Sequence, residues 1–240
     1  MPDACRLCPS FGPLVPKSHV IPKWMYGLLP QDEHRFRISS SHPDEFEKHS
    51  PTGIYGCFAC QACENRFAAW DDYAAIVLRR TPQQQRDGGF EFGAYDYGRL
   101  ARFYLSVLWR MSACRQPFFD SVVLNGAGAR LKEALLTDES VALSAFEIVP
   151  SRSSHILSCG LLTPIHVQIE SVPYWQIYMP RFQALIKVEA VPGAVCLQNW
   201  KLTPGSNLRM LEKTFAEFGE AEVAEQVFRA SLEKKNAKRN

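Results

Sequence analysis

Two cysteine pairs of the form Cys-x2-Cys constrain this chain more than any other feature of its sequence. The first pair is Cys5 and Cys8, and the second pair, Cys60 and Cys63, lies far from it along the chain. Two such pairs are typical of a structural zinc ion that is held by four thiolates. The spacing therefore predicts Zn²⁺ bound by these four residues and a fold that brings the two segments together.

The other cysteines leave a second interpretation open. The chain has eight cysteines in all, and the series Cys57, Cys60 and Cys63 has a spacing from which an iron–sulfur cluster can be bound. That alternative leaves Cys5 and Cys8 without a role. The three remaining cysteines are expected to be small, buried, apolar side chains, and they are Cys114, Cys159 and Cys196.

Composition predicts a globular protein in a reducing compartment. Hydrophobic residues make up 46% of the chain and charged residues 22%, which allows a sizeable core. The chain has no run of about 18 apolar residues, so we expect no membrane span. The first residues, Met-Pro-Asp-Ala-Cys, lack the basic and apolar segments of a secretory signal, so we expect a cytoplasmic protein whose cysteines bind metal. A net charge of +2 neither supports nor excludes nucleic acid as a partner.

Apolar periodicity predicts two long helices in the first half of the chain. One is expected from residue 63 to about residue 80, before Thr81-Pro82, and the other at 96–114. The second helix has apolar residues on one face and arginines on the other, which predicts a buried side and a basic, solvent-facing side. Such a stripe would contact phosphates, and its members are Arg99, Arg102 and Arg110. A solvated helix face without any partner is the alternative.

The later segments predict a sheet followed by closing helices. The expected elements are helices at 126–136 and 138–146, strands within 155–170, 174–189 and 195–200, and helices at 208–218 and 221–235. The fold class is therefore α+β, with a zinc-stapled unit at 1–80, a helical region at 81–146, and a small antiparallel sheet with C-terminal helices at 147–240. No flexible linker separates these regions, so we expect them to pack together.

A histidine and several carboxylates fall where the cysteine pairs would bring them together. His19 lies between the pairs, and Glu64 and Asn65 directly follow Cys63 at the start of the first long helix. Asp71 lies two turns further along and so on nearly the same face as Glu64. A base that activates water and oxygens that hold a cation are the requirements of metal-dependent phosphodiester hydrolysis. A packed histidine, with carboxylates that merely complement the helix dipole, is the alternative.

These segments together resemble the zinc-stapled HNH, or His-metal finger, endonucleases. That family has Cys-x2-Cys, then a catalytic His often followed by Ile/Val-x-Pro, then Cys-x2-Cys-His/Asn. This chain has Cys5-Arg6-Leu7-Cys8, Ser18-His19-Val20-Ile21-Pro22-Lys23 and Cys60-Gln61-Ala62-Cys63-Glu64-Asn65. The resemblance covers residues 5 to about 75. The chain departs from the family pattern at Ser18, where an acidic residue or His usually stands, at Glu64, and before Cys60, where an orienting Asn is missing.

The resemblance implies a ββα-metal-like N-terminal unit, a structural Zn²⁺ on the four cysteines, and His19 as the general base. It further implies a catalytic Mg²⁺ or Mn²⁺ that is held by Glu64 with help from Asn65 or Asp71. DNA, and as a second choice RNA, would be positioned by Lys23 and the three arginines of the second helix. Defence of a bacterium against foreign DNA is one role that this setting suggests.

Two other functions remain open at the level of the sequence. One is a non-catalytic zinc module that binds nucleic acid or protein, which predicts zinc but no second metal. The other is a subunit whose C-terminal half docks onto a protein partner and which is inactive alone. The segments beyond residue 80 carry no motif that identifies a reaction, so only the structure can say what they contribute.

Overall fold

Four helices and three β-sheets make up the part of the chain that the computed structural model describes, namely residues 4–10, 12–28, 36–39, 48–50, 53–139, 141–153 and 160–213. The helices are α1 (Lys23–Tyr26), α2 (Gln61–Leu78), α3 (Tyr97–Ala113) and α4 (Ala127–Leu136). The strands are β1 (Ser18–His19), β2 (Phe36–Ser39), β3 (Lys48–Ser50), β4 (Tyr55–Gly56), β5 (Gln83–Gln84), β6 (Gly89–Ala94), β7 (Glu147–Ser153), β8 (Gly160–Leu162), β9 (Ile165–Ile169), β10 (Val172–Met179), β11 (Phe182–Lys187) and β12 (Asn207–Lys213).

Seven strands form the largest sheet, in the order β5-β6-β12-β7-β11-β10-β9. Its neighbouring strands are antiparallel except for β12 and β7, which run parallel. Glu170 and Ser171 connect β9 to β10, and both have positive φ angles, 49° and 65°, as the two-residue turn that suits strand twist requires. The sheet is therefore larger than the small antiparallel sheet expected, and it is mixed.

Helix α3 lies at the centre of the molecule. Every residue from 100 to 111 is buried, because α2 and α4 pack against this helix. One hydrophobic core joins α3 to the sheet, where it includes Ile177 and Met210, and to the N-terminal cysteines. The N-cap residue Asp96 begins the helix, and its carboxylate accepts a hydrogen bond from the backbone N–H of Arg99 (3.0 Å).

The three long helices lie where apolar periodicity predicts them. The predictions at 63–80, 96–114 and 126–136 correspond to α2, α3 and α4, with ends that differ by at most two residues. Their signals are local, because a helix is encoded by side chains three and four residues apart. Among the described residues, no helix has both the length and the apolar character that crossing a membrane would require.

Two C-terminal predictions are wrong. The segment from residue 208, expected to begin a helix, belongs to strand β12, in which Leu208 and Met210 are buried while Arg209 between them is half-buried. This alternation has the two-residue period of a strand. Over so few residues, however, the same apolar positions can also be read as one face of a helix. The strand expected after β11 is instead a 3₁₀ helix, Val195–Leu197. The remainder of the predicted C-terminal helices lies outside the described residues.

The region 81–146 is only partly helical. Strands β5 and β6 come from it, and β6 pairs with β12 in the large sheet. Strand β6 begins with Gly89, a residue that in sequence suggests a turn. A glycine is needed there because an added Cβ would lie 2.3 Å from the ring of Trp200. The helix expected at 138–146 is reduced to a 3₁₀ helix, Val141–Ala145. Residues 81–146 and 147–240 thus share the large sheet, and all three predicted regions share one core.

Candidate functional site

The four cysteines of the two Cys-x2-Cys pairs meet in one cluster. Their Sγ atoms all lie within 4.8 Å of one another, and no other group of three or more His, Cys, Asp or Glu is gathered in this way in the described part of the chain. Cys5 Sγ lies 3.7 Å from Cys63 Sγ, and Cys8 Sγ lies 3.6 Å from Cys60 Sγ. Sulfur atoms bound to one tetrahedral zinc ion lie about 3.8 Å apart. The cluster therefore has the dimensions of a four-thiolate zinc site.

Backbone hydrogen bonds hold the first cysteine pair against the segment that carries the second. The backbone N–H of Arg6 donates to the carbonyl of Phe58 (3.0 Å). The backbone N–H of Cys60 donates to Cys5 Sγ (3.4 Å), a contact that favours a negatively charged sulfur. Cys60 is the N-cap of α2, and Cys63 lies in the first turn. The cluster therefore sits at the start of α2 and fixes that helix to the N-terminal segment.

Burial and the close approach of the four sulfurs shift the pKa values of the cluster in both directions. Burial raises the pKa of Cys8, but hydrogen bonds from the side chain and backbone of Ser10 outweigh it and lower the pKa to about 6. Burial, with the neighbouring thiols of Cys8 and Cys5, raises the pKa of Cys63. A divalent cation at the centre would offset this mutual repulsion, since the thiolate is the form that binds metal. The residues present thus fit a zinc ion.

The structure separates the remaining cysteines from the cluster. Cys57, on which the iron–sulfur alternative depends, is exposed and is not part of the four-sulfur group. The geometry therefore favours the zinc interpretation. Cys114 is buried, as expected, whereas Cys196 is exposed, and Cys159 lies outside the described residues.

Strands β1 and β4 bring His19 beside the start of α2. The two strands are antiparallel, with His19 opposite Tyr55, and the centres of these two rings lie 4.5 Å apart. Helix α2 follows β4 along the chain and carries Glu64 in its first turn. His19 and Glu64 consequently line the same cavity, which has a volume of about 500 Å³. Cavities of this size are typical of small-ligand sites.

Residues from β1, α1, α2 and α3 form the walls of this cavity. Its charged lining consists of three cations and three carboxylates, which are Lys23, Arg79, Arg110, Glu64, Asp71 and Asp72. Apolar walls come from Pro22 and Phe67. The cavity therefore combines opposite charges with a partly apolar surround, in which electrostatic interactions are stronger than in water.

Three buried polar atoms of the cavity's residues have no hydrogen-bond partner among the described residues: His19 Nε2, Glu64 Oε1 and Trp24 Nε1. Buried polar atoms in proteins are nearly always bonded, and one that is left unpaired costs about 1–3 kcal/mol. The three atoms belong to three different elements but to one cavity. Their arrangement indicates a place for a polar ligand.

The surroundings of His19 keep its imidazole neutral. Burial lowers its pKa below the usual 6.5, and the positive charges of Arg110 and Lys23 lower it further. A neutral imidazole can accept a proton. Burial raises the pKa of Glu64, and the positive charge of Arg110 opposes this effect. The hydroxyl of Ser18, which departs from the family pattern, donates to the carbonyl of Val15 (3.4 Å).

Asp71, predicted to help hold a cation, forms an ion pair. Arg110 Nη1 and Nη2 donate to its two carboxylate oxygens at 2.9 and 2.8 Å. The remaining donors of Arg110 bond to the carbonyl and hydroxyl of Ser106 (3.3 and 3.1 Å) and to the carbonyl of His19 (3.2 Å). All five guanidinium N–H groups are thereby used. A cation at Asp71 would have to compete with this pair.

The solvent-facing basic stripe predicted for α3 is wrong for two of its three arginines. Arg110 is 1% exposed and Arg102 is 7% exposed, because the face opposite the sheet meets α2 and α4 rather than water. Arg102 donates to carbonyls at the end of α4, among them that of Thr137 (2.9 Å), as cations at helix C-termini often do. Arg99 is exposed and lies over the ring of Tyr73 (4.4 Å).

Two other predicted site residues, Asn65 and Lys23, differ in their position relative to the cavity. Asn65 is exposed, accepts a hydrogen bond from Gln61 Nε2 (2.9 Å), and lies outside the cavity lining. Lys23 is also exposed, but it lines the cavity beside His19. Of the predicted nucleic-acid contacts, Lys23 and Arg110 line the cavity with His19, and only Lys23 of these two is exposed.

The sequence reasoning missed two cavity residues, Trp24 and Arg79. Arg79 lies about four turns beyond Glu64 and so near the same face of α2. The face that connected Glu64 to Asp71 could therefore have been extended to it. Trp24 follows Lys23 in the short helix α1, and no periodicity in four residues shows which way its ring points.

A comparison with protein-family models, curated proteins and solved structures found no match to this chain. The four-cysteine cluster and the cavity beside it are therefore the features from which a function follows. Both depend on α2, whose N-cap and first turn carry two cysteines of the cluster and whose side chains include the cavity's carboxylates.

Proposed function

We propose that this protein is a metal-dependent endonuclease of divergent HNH type, which hydrolyses phosphodiester bonds of DNA or RNA. The observation that carries the proposal is the meeting of His19 Nε2 and Glu64 Oε1, both buried and unpaired, in one cavity beside the four-cysteine cluster. An imidazole and a carboxylate on facing elements offer a base and a cation ligand. Zinc bound to the cluster would staple these elements together.

In this proposal His19 is the general base. Its lowered pKa leaves the imidazole neutral at pH 7, so Nε2 accepts a proton from the attacking water. Glu64, which has an unpaired oxygen, would hold Mg²⁺ or Mn²⁺, and such a cation would supply positive charge to the developing charge of the phosphate. Lys23 at the cavity and Arg99 on the outer surface offer positive charge to the backbone without reading its sequence.

A second candidate is a non-catalytic zinc module or subunit that binds nucleic acid or a protein partner. It is favoured by the scarcity of cation ligands, because Asp71 is paired with Arg110 and Asn65 lies outside the cavity. This candidate predicts that zinc is bound but that no second metal is needed. A role in defence against foreign DNA would follow only from the first candidate.

Cleavage of supercoiled plasmid DNA in Mg²⁺ or Mn²⁺ tests the proposal, with wild type and His19→Ala compared at equal zinc content. Removing a general base lowers rates by about 10²–10⁴-fold, so we expect nicking by wild type and at least a hundredfold slower nicking by His19→Ala. A single-stranded RNA substrate in the same buffer separates the two nucleic acids.

The matched control is His166→Ala. His166 lies on β9, stacks on Trp175 (3.8 Å between ring centres) and is outside the cavity, so its loss should leave nicking unchanged. Equal cleavage by wild type and His19→Ala would remove His19 from the mechanism. Zinc binding without cleavage of either nucleic acid would favour the non-catalytic candidate.

A further inference from the structure

Helix α1 and the end of α2 form one wall of the cavity. Arg79, the C-cap residue of α2, donates from Nη2 to the carbonyl of Trp24 (3.3 Å) and lies 5.1 Å from the centre of its ring. Lys23 precedes Trp24, and its charge reaches His19 strongly enough to lower the pKa of that histidine. All three side chains line the cavity. This wall presents two positive charges and one indole.

The indole N–H of Trp24 indicates which kind of ligand would fit this wall. The nitrogen is buried and has no hydrogen-bond partner among the described residues. An indole is a donor only, so its missing partner must be an acceptor. The bond to Trp24 uses one of the five N–H donors of Arg79. An anion with several acceptor oxygens meets these requirements, and phosphate is such an anion.

The carboxylates of the cavity offer few ligands to a cation. Glu64 offers one unpaired carboxylate oxygen, whereas both oxygens of Asp71 are bound by Arg110. Mg²⁺ is usually held by one or two carboxylates, with water and substrate phosphate completing its six ligands. A cation held by Glu64 would leave most of its ligand positions to water and phosphate, so side chains that bind the phosphate directly would help to position it.

We propose that Trp24, Lys23 and Arg79 form a phosphate subsite that holds the phosphodiester opposite His19 and Glu64. Trp24 Nε1 donates to a non-bridging oxygen, and the two cations balance the charge of the phosphate. The inference rests on the proposed function, because it names the part of the substrate that this site would grip. The ligand class is a nucleic-acid phosphodiester.

The affinity of a thymidine dinucleotide, which contains one phosphodiester bond, tests the subsite by calorimetry on the zinc-loaded full chain, in Ca²⁺ and in Mg²⁺. Trp24→Phe keeps an aromatic ring beneath Arg79 but removes the N–H. A hydrogen bond to a charged group is worth about a tenfold change or more in affinity, so we expect the Kd to rise by at least that factor.

Trp200→Phe is the matched control, because Trp200 also lies beneath an arginine, Arg209 (4.6 Å), but outside the cavity. Its Kd should equal that of wild type. Lys23→Ala alters an exposed side chain and leaves the core intact, so it tests the subsite independently of folding. We expect severalfold weaker binding and a shallower salt dependence, since one phosphate-neutralising charge is lost.

The possible results separate the subsite from the endonuclease proposal. Weaker binding by Trp24→Phe and Lys23→Ala supports the subsite even if plasmid is not cut, and in that case the endonuclease proposal fails alone. Wild-type affinity in both variants, or no binding by wild type, overturns the subsite. Plasmid cleavage by Trp24→Phe with an unchanged KM overturns it as well and leaves the endonuclease proposal standing.

Discussion

Arg110 determines how three elements meet at the cavity. From α3 its guanidinium bonds both oxygens of Asp71 on α2 and the carbonyl of His19 on β1, and it lies 5.1 Å from the centre of the Phe67 ring. Because each of its five donors is used, the position of the His19 backbone depends on this side chain. Arg110, which was predicted to contact phosphate, is instead buried and bonds other residues of the site.

Arg110→Lys should both destabilise the protein and slow its chemistry. Lysine keeps the charge but has three donors on a single nitrogen, so it cannot bond Asp71 in a bidentate way and reach His19 as well. We expect a loss of about 2–3 kcal/mol in the free energy of unfolding, measured by urea denaturation. If plasmid is cleaved, we also expect a lower kcat with little change in KM.

Arg102→Lys provides the comparison for Arg110→Lys. Arg102 is also buried in α3, but its donors bond carbonyls at the end of α4 and none reaches the cavity. Its substitution should reduce stability while kcat stays at the wild-type value. Equal changes in kcat for both variants would show that Arg110 supports the fold without positioning His19.

At the scale of elements, helix α2 connects the four-cysteine cluster to the cavity. Its N-cap, Cys60, and first turn supply two of the four sulfurs, its inner face supplies Glu64 and Asp71, and its C-cap is Arg79. Helix α3 lies behind it and begins at Asp96, whose side chain bonds the first turn. The start of α2 is therefore fixed by the cysteine cluster, and the start of α3 by its N-cap side chain.

Asp96→Ala should weaken the start of α3. Loss of an N-cap side chain costs about 1 kcal/mol, because the N–H of Arg99 loses its acceptor. Urea denaturation measures the change in the free energy of unfolding. Asp120→Ala, at an exposed position after the 3₁₀ helix Pro117–Phe119, should change stability by less than about 0.5 kcal/mol. Similar losses in both variants would contradict a capping role.

At the scale of the whole molecule, one hydrophobic core connects the cysteine cluster to the sheet. The core runs from Cys5 through all of the buried part of α3 to Met210 on β12. Strand β12 lies between β6 and β7 and so joins strands that precede and follow the central helices in sequence. Loosening of the N-terminal segment should therefore affect the sheet as well.

Removal of zinc should lower the stability of the entire described fold. Without the cation, four close thiolates repel one another and the start of α2 loses its attachment to the N-terminal segment. We expect a single thermal transition that shifts to lower temperature after chelation, measured by calorimetry. A separate early transition, with the sheet melting at its original temperature, would contradict one shared core.

Two serine variants identify the sulfurs responsible. Cys8→Ser removes a member of the cluster and should abolish stoichiometric zinc binding, measured by metal analysis after dialysis. Cys57→Ser alters an exposed thiol outside the cluster and should retain zinc and the wild-type melting temperature. Zinc loss from Cys57→Ser would bring back the interpretation in which Cys57 binds metal.

Local patterns in the sequence predict a large part of this structure. The Cys-x2-Cys spacing identifies the sulfur cluster, and three- and four-residue periodicity identifies α2, α3 and α4. The proximity of His19 and Glu64 also follows, because each lies a short distance along the chain from a cysteine pair. These features could be predicted because interacting residues are neighbours in sequence or belong to paired cysteine motifs that are typical of one shared site.

Only the tertiary structure decides the rest. Whether Arg110 faces solvent or Asp71 depends on which elements surround α3, and the sequence of α3 alone carries no record of them. The pairing of β12 with both β6 and β7 likewise joins segments far apart in the chain. The four sulfur ligands and the main helices could be predicted from the sequence alone, because each cysteine pair and each helix is marked by residues only three or four positions apart. The cavity, its ion pair and its unpaired donor arise from long-range packing, which short-range spacing cannot encode.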